Sequence, residues 1–225
     1  MRKPRSIKDY GRQALLLEWE QRIDPAILRG VLSYATAIEH LPGIASCVPA
    51  YASLLVTFSG PSKVWRDRIY TLEVSELPEV AGALHRIPVC YGGTHGPDLE
   101  HVAEERGLRP ADVIRLHTRP TYLVYLLGFR PGFAFMGKVD DRLRISRREN
   151  PRPKVPAGAV GLAGSQTGIY PESSPGGWQL IGYCPLPLVS AGGNTRFKAG
   201  DRVKFYAVEE DELADAVKTD TWPGN

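Results

Sequence analysis

Apolar positions recur along this chain in two rhythms. In DPAILRGVLSYATAIEH (24–40), Ile27, Leu28, Val31, Leu32, Ala35 and Ile38 fall three and four residues apart. That spacing predicts a helix with one buried face. Asp24 supplies an N-cap and Pro25 suits the first helical position. Around this helix, QALLLEW (13–19), IASCVP and SLLVTFS are short apolar runs of strand length. A second helix is expected at about 62–75, with Val64, Trp65, Ile69 and Leu72 turned inward. HRIPVCY (85–91) then closes this half as another strand. Strands mixed with two helices predict a small α+β sandwich.

The texture changes after YGGTHGPDL (91–99), where Gly92, Gly93 and Gly96 loosen the backbone. Two short helices are expected, DLEHVAEERG ending at Gly107 and PADVIRLH after Arg109. From residue 120 the pattern is short and strand-like. YLVYLL, AVGLAG, WQLIGY and DRVKFYAV are bounded by Gly, Pro and polar turns, as in a sandwich or barrel. EEDELADAV (209–217) suits a final helix. The expected organisation is therefore an α+β domain over 1–92 and a mainly-β domain over 93–225.

Composition narrows the function classes. Hydrophobic residues make up 43% and charged residues 24% of 225 positions, which suits a globular chain with an adequate core. A net charge of +3 is too small and too dispersed for a dedicated nucleic-acid binder. Cys47, Cys90 and Cys184 are far apart and outside any CxxC spacing, so reduced thiols are expected rather than a disulfide framework or a zinc site. The basic start lacks the apolar run of a signal peptide, and YLVYLLGF (122–129) is too short to span a bilayer. These features predict a cytoplasmic protein with no membrane partner. HxE, HExxH and the phosphate loop GxxxxGK[ST] are absent, and no metal is expected.

Three segments attract chemistry. GFRPGFAFMG (128–137) alternates Gly128, Gly132 and Gly137 with Phe129, Phe133 and Phe135, either flooring a pocket or making a core strand with a tight bend. GSQTGIYPESSPGGWQLIG (164–182) frees its backbone with glycines and fixes it with Pro171 and Pro175. Read as a loop, it aims Gln166, Thr167, Tyr170, Ser173 and Ser174 at a small molecule. Read as a self-packed segment, it uses Trp178 as a plug. DDRLRISRRENPRPKVP (140–156) is rich in arginine, and such runs usually make a solvated face. Arg152, between Pro151 and Pro153, is the exception best placed to engage an anion. His117, at a predicted helix end, is either an acid–base group or a satisfied structural histidine.

PVCYGGTHGPDLEHVAEERGL, HTRPTYLVYLLGFRPGFAFMG and PRPKVPAGAVGLAGSQTGIYPESSPGGWQLIG closely resemble the KipI family, also named allophanate hydrolase subunit 1 and the B subunit of bacterial 5-oxoprolinase. The likeness runs over about residues 10–210. It implies a cyclophilin-like β-barrel as the second domain, following the N-terminal α+β domain. It also implies partners, a KipA-like subunit and a LamB/YcsF-like subunit, with which 5-oxoproline is opened to glutamate using ATP. Related halves form the carboxyltransferase part of urea carboxylase. One family member instead inhibits a sensor histidine kinase, which leaves a regulatory alternative; a peptidyl-prolyl isomerase is suggested only by the barrel.

Carried onto this chain, the resemblance gives His117, Gln166 and Tyr170 as catalytic candidates. Arg152, Thr167, Ser174, Phe129, Phe133 and Trp178 become candidates for holding a small polar substrate. Gly128, Pro131, Gly132, Pro175, Gly176 and Gly177 are expected to shape the loops. Two departures stand out. Ala159 replaces a serine common in the family, and Tyr183-Cys184 replaces an Arg-Thr pair. Losing that arginine removes a permanent cation with bidentate donors.

Overall fold

A computed structural model describes residues 3–78 and 82–222, so the expected domain ends at residues 1 and 225 lie outside the described residues. The chain divides into two compact units, Met1–Gly82 and Ala83–Asn225.

The first unit contains β1 (Ser6–Asp9), β2 (Ala14–Glu18), α1 (Pro25–Glu39), β3 (Ile44–Pro49), β4 (Ser53–Phe58) and α2 (Lys63–Tyr70). The strands form an antiparallel sheet in the order β1-β2-β4-β3. Asp24 caps α1 as its sequence predicts, accepting a hydrogen bond from the Ala26 amide at 2.8 Å. The apolar stripe of α1 packs Ile27, Val31, Ala35 and Ile38 on Leu15, Leu17, Leu54 and Val56 of the sheet. The second helix is shorter than expected, stopping at Tyr70. Trp65 and Ile69 are buried, but Val64 is 65% exposed, because a face one residue away from Trp65 points away from the sheet.

The second unit contains β5 (Leu84–Tyr91), α3 (Leu99–Glu105), α4 (Pro110–Thr118), β6 (Tyr122–Leu127), β7 (Ala134–Gly137), β8 (Arg152–Val155), β9 (Ala159–Ala163), β10 (Gln166–Ile169), β11 (Ser174–Gly176), β12 (Gln179–Tyr183), β13 (Arg202–Ala207) and α5 (Leu213–Lys218). Seven strands close a barrel in the order β10-β7-β6-β13-β5-β12-β9, and β8 pairs with β11 as a separate ribbon. The strand at 84–91 therefore belongs to the barrel and not to the first half. It pairs along its length with β13 in parallel and also meets β12, partners more than ninety residues away that local pattern cannot reveal. The boundary falls at Gly82, and the glycine-rich turn at 92–96 is internal to the barrel unit.

Alternation along the strands builds two layers. Val160 and Leu162 of β9, Ile169 of β10, Ala134 and Met136 of β7 and Ile181 of β12 join the barrel's main core. Their neighbours Ala159, Ala163, Tyr170, Phe133 and Leu180 form a second cluster with Val155 and Trp178. Both faces of these strands are thus covered, which is why AVGLAG reads as an unbroken apolar run.

Candidate functional site

The Gly/Pro segment at 164–182 is not a loop with polar groups turned outward. It supplies β10, β11 and β12, and its side chains pack as an outer layer on the barrel wall. Tyr170 is 1% exposed and Trp178 4%. Both meet the Phe133 ring edge-on, at 5.2 and 5.3 Å between centroids. Burial raises the Tyr170 hydroxyl above its ordinary range. Ser174 is buried, while Ser173 is exposed. Gly176 is required where it is, since a Cβ there would lie 2.3 Å from the Tyr170 hydroxyl oxygen. Gly177 has ordinary contact distances and faces Pro151. Pro175 is exposed. Gln166 is half-buried, opposite Gly137 and Ala163 in the ladder.

Thr167 and His117 meet inside the barrel. His117 projects from the last turn of α4 and is fully buried. Its Nε2 lies 2.8 Å from Thr167 Oγ1, and its Nδ1 lies 2.7 Å from the Tyr91 hydroxyl. Thr167 spends its one hydroxyl hydrogen on the Gly161 carbonyl at 3.0 Å. Toward His117 it can only accept, so Nε2 carries the hydrogen and Nδ1 accepts from Tyr91. Burial pushes the His117 pKa down to about 3. Stacked on Phe205 with both nitrogens bonded, this is a satisfied neutral core histidine. The geometry gives it the structural role of the two read from sequence, because no ring nitrogen is left for a substrate proton.

Arg152 is also engaged. Its Nη2 donates to Asp98 Oδ1 at 2.7 Å, and Arg148 Nη1 donates to the same oxygen at 3.2 Å. The other carboxylate oxygen accepts from the Leu180 amide at 2.6 Å. Asp98 is 4% exposed, so two arginines and one amide compensate a buried charge. This clamp ties β8 and the preceding loop to the start of α3 and to β12. Sequence reading missed Asp98, although its place beside Pro97 and ahead of a helix marked it as a cap.

The turn at 128–133 exposes one ring. Phe129 is 61% exposed at φ +70°, a backbone region that disfavours a side chain, and Arg130 lies over its ring. Gly132 adopts φ +81° where a Cβ would strike Val189, and Gly128 and Pro131 complete the turn.

A groove of about 540 Å³ opens between α3, the segment 144–150 and the first residue of β12. Arg106, Arg144, Arg147 and Arg148 line it together with Glu105, Glu149 and Gln179. The arginine run is largely exposed, as expected of a solvated face, and it also lines this groove, to which the Gly/Pro segment contributes Gln179 rather than Tyr170 or Ser174. Of the departures from the family pattern, Ala159 is buried in the aromatic layer and Cys184 in the main core, where burial holds its thiol high, at about 12. Tyr183 stacks on His95 at 5.3 Å.

Comparison with known proteins places this architecture. The model of the carboxyltransferase domain, subdomain C and D, matches residues 5–197. The chain belongs to that family. It is 43% identical over 223 residues to the B subunit of 5-oxoprolinase from Bacillus subtilis, covering 91% of this chain and 93% of that protein. The corresponding 5-oxoprolinase subunit of Escherichia coli O157:H7 is 37% identical over 206 residues, covering 89% and 94%. Among solved structures, TTHA0988 superposes with a TM-score of 0.79 at 36% identity over 88% of this chain. This carboxyltransferase-family chain spans only 40% of that one, so the solved relative carries further polypeptide beyond the shared part.

Proposed function

We propose that this chain is the KipI-like subunit of an ATP-dependent 5-oxoprolinase that opens 5-oxoproline to glutamate. Its partners in this reading are a KipA-like subunit and a LamB/YcsF-like subunit, and the assembly works in the cytoplasm. The observation that carries the reading is 43% identity over nearly the whole length of the Bacillus subtilis 5-oxoprolinase B subunit.

The site supports a shared role. The residues expected to do acid–base chemistry, His117 and Tyr170, are sealed in packed layers. Among the features this chain offers to solvent are an arginine-lined groove and the exposed Phe129. Such parts bind and dock, and the reacting groups come from a second polypeptide. ATP belongs to the reading at the level of the complex.

The test is reconstitution. Mixing this chain with both partner subunits from its own genome gives ATP-dependent release of glutamate from 5-oxoproline. A verified complex that releases none contradicts the proposal.

A further inference from the structure

Another cavity, of about 640 Å³, opens in the first unit between β1, α1 and α2. That volume is in the range of small-molecule pockets. Ile69 and Tyr34, 1% and 2% exposed, make its floor, and Ile7 and Tyr70 add apolar wall toward the surface. Among the described residues the Tyr34 hydroxyl has no hydrogen-bond partner, and yet it is not closed to solvent. The small open part of this side chain therefore includes the hydroxyl oxygen, and the cavity is what it opens into. Burial raises the Tyr34 pKa, with no hydrogen bond to offset the effect. A hydroxyl so placed can donate to or accept from the polar tip of a ligand whose body is apolar.

Charge on the lining describes the ligand's other end. Arg5 pairs with Glu20 at 3.0 Å, and Arg66 pairs with Asp9 at 2.8 Å while donating to the Ile7 carbonyl. Lys3 and Asp67 also line the cavity, and both are exposed. Neither has an ion pair among the described residues. One unpaired cation and one unpaired carboxylate on the same rim complement a zwitterion, whereas a simple anion or cation would meet a like charge at one of them. Two tyrosine rings in the lining favour an aromatic body between the zwitterionic end and the polar tip.

We propose that this cavity binds a free amino acid whose side chain is an aromatic ring carrying a hydrogen-bonding group. The ring packs on Ile7, Ile69 and Tyr70, its polar group bonds the Tyr34 hydroxyl, and the carboxylate and ammonium lie at Lys3 and Asp67. The site uses no residue invoked in the function proposed above.

The full-length chain is titrated with L-tryptophan, whose ring N–H supplies the polar group, and binding is followed by NMR and calorimetry. Parallel arms use L-phenylalanine, which lacks that group, tryptamine, which lacks the carboxylate, and 3-indolepropionate, which lacks the ammonium. Tryptophan is expected to bind and to shift the signals of Tyr34, Ile69 and Tyr70. Each analogue binds several-fold more weakly, as expected for one lost hydrogen bond or one exposed ion pair. Tyr34→Phe keeps the ring in the core, weakens tryptophan binding by roughly fivefold and leaves phenylalanine binding unchanged. Lys3→Ala and Asp67→Asn sit at exposed positions where folding is not at issue. Both weaken tryptophan binding, while tryptamine is insensitive to the first and 3-indolepropionate to the second. No tryptophan binding, or shifts confined to other residues, overturns the site. So does an unchanged tryptophan affinity in Tyr34→Phe, an equal loss for phenylalanine there, or analogues that bind as tightly as tryptophan.

Discussion

Protonating His117 means breaking its bond from Tyr91, since Nδ1 is the only ring nitrogen that can take a proton and it already accepts one hydrogen bond. With the folded pKa near 3 against an ordinary 6.5, the unfolded chain binds the proton first as pH falls. The histidine therefore favours the folded state fully above about pH 6.5, and that contribution drains away as pH drops toward 3, by on the order of a few kcal/mol in all. Its ring signals in NMR are expected to show the Nε2–H tautomer and no titration above pH 5. A midpoint near 6.5 would contradict the buried relay. His117→Phe leaves the Tyr91 and Thr167 hydroxyls short of a partner, and a urea titration is expected to show a loss of about 1–3 kcal/mol. Sequence spacing alone left His117 open between catalyst and structural group. Its partners lie 26 and 50 residues away, so only the closed barrel decides the matter.

Adjacent glycines in the outer ribbon separate shape from mere flexibility. Gly176→Ala drives a methyl group into the Tyr170 hydroxyl, and thermal melts are expected to show a loss of about 1–3 kcal/mol. Gly177→Ala meets nothing closer than 3.6 Å and is expected to stay within about 0.5 kcal/mol of wild type. Equal effects at the two positions would contradict the packing of the Tyr170 layer. Elements with local signals were legible beforehand. The first helix carries its own cap and a regular apolar stripe, and β2, β3 and β4 are bounded runs. The ribbon of β8 and β11 was not legible, because Pro153, Pro175 and Gly176 are poor strand residues. They form a strand pair through the partner ribbon and the aromatic layer beneath it. The arginine-lined groove was hidden because its lining comes from α3, the segment 144–150 and Gln179, stretches distant in sequence that the fold joins through contacts such as Gln179 to Ser146 and Arg148 to Asp98.

At the scale of the molecule, each unit has its own core, and the second unit holds every binding group expected from the sequence. The barrel core is filled by side chains, among them Val102, Val113 and Leu116 from α3 and α4 packed with the strands, and by the His117 relay. In the function proposed above, a chain built this way contributes a wall and a docking face to a larger enzyme. Its similarity to the B subunits of two bacterial 5-oxoprolinases and its coverage of only part of the longer TTHA0988 chain agree with that division of labour. The most direct measurement is an omission series, in which glutamate release from 5-oxoproline with ATP is followed as this chain is titrated into its two partner subunits. Release is expected only when all three are present, rising with added chain and saturating when the complex is filled. Equal release in its absence, or none from the assembled three, would contradict the account.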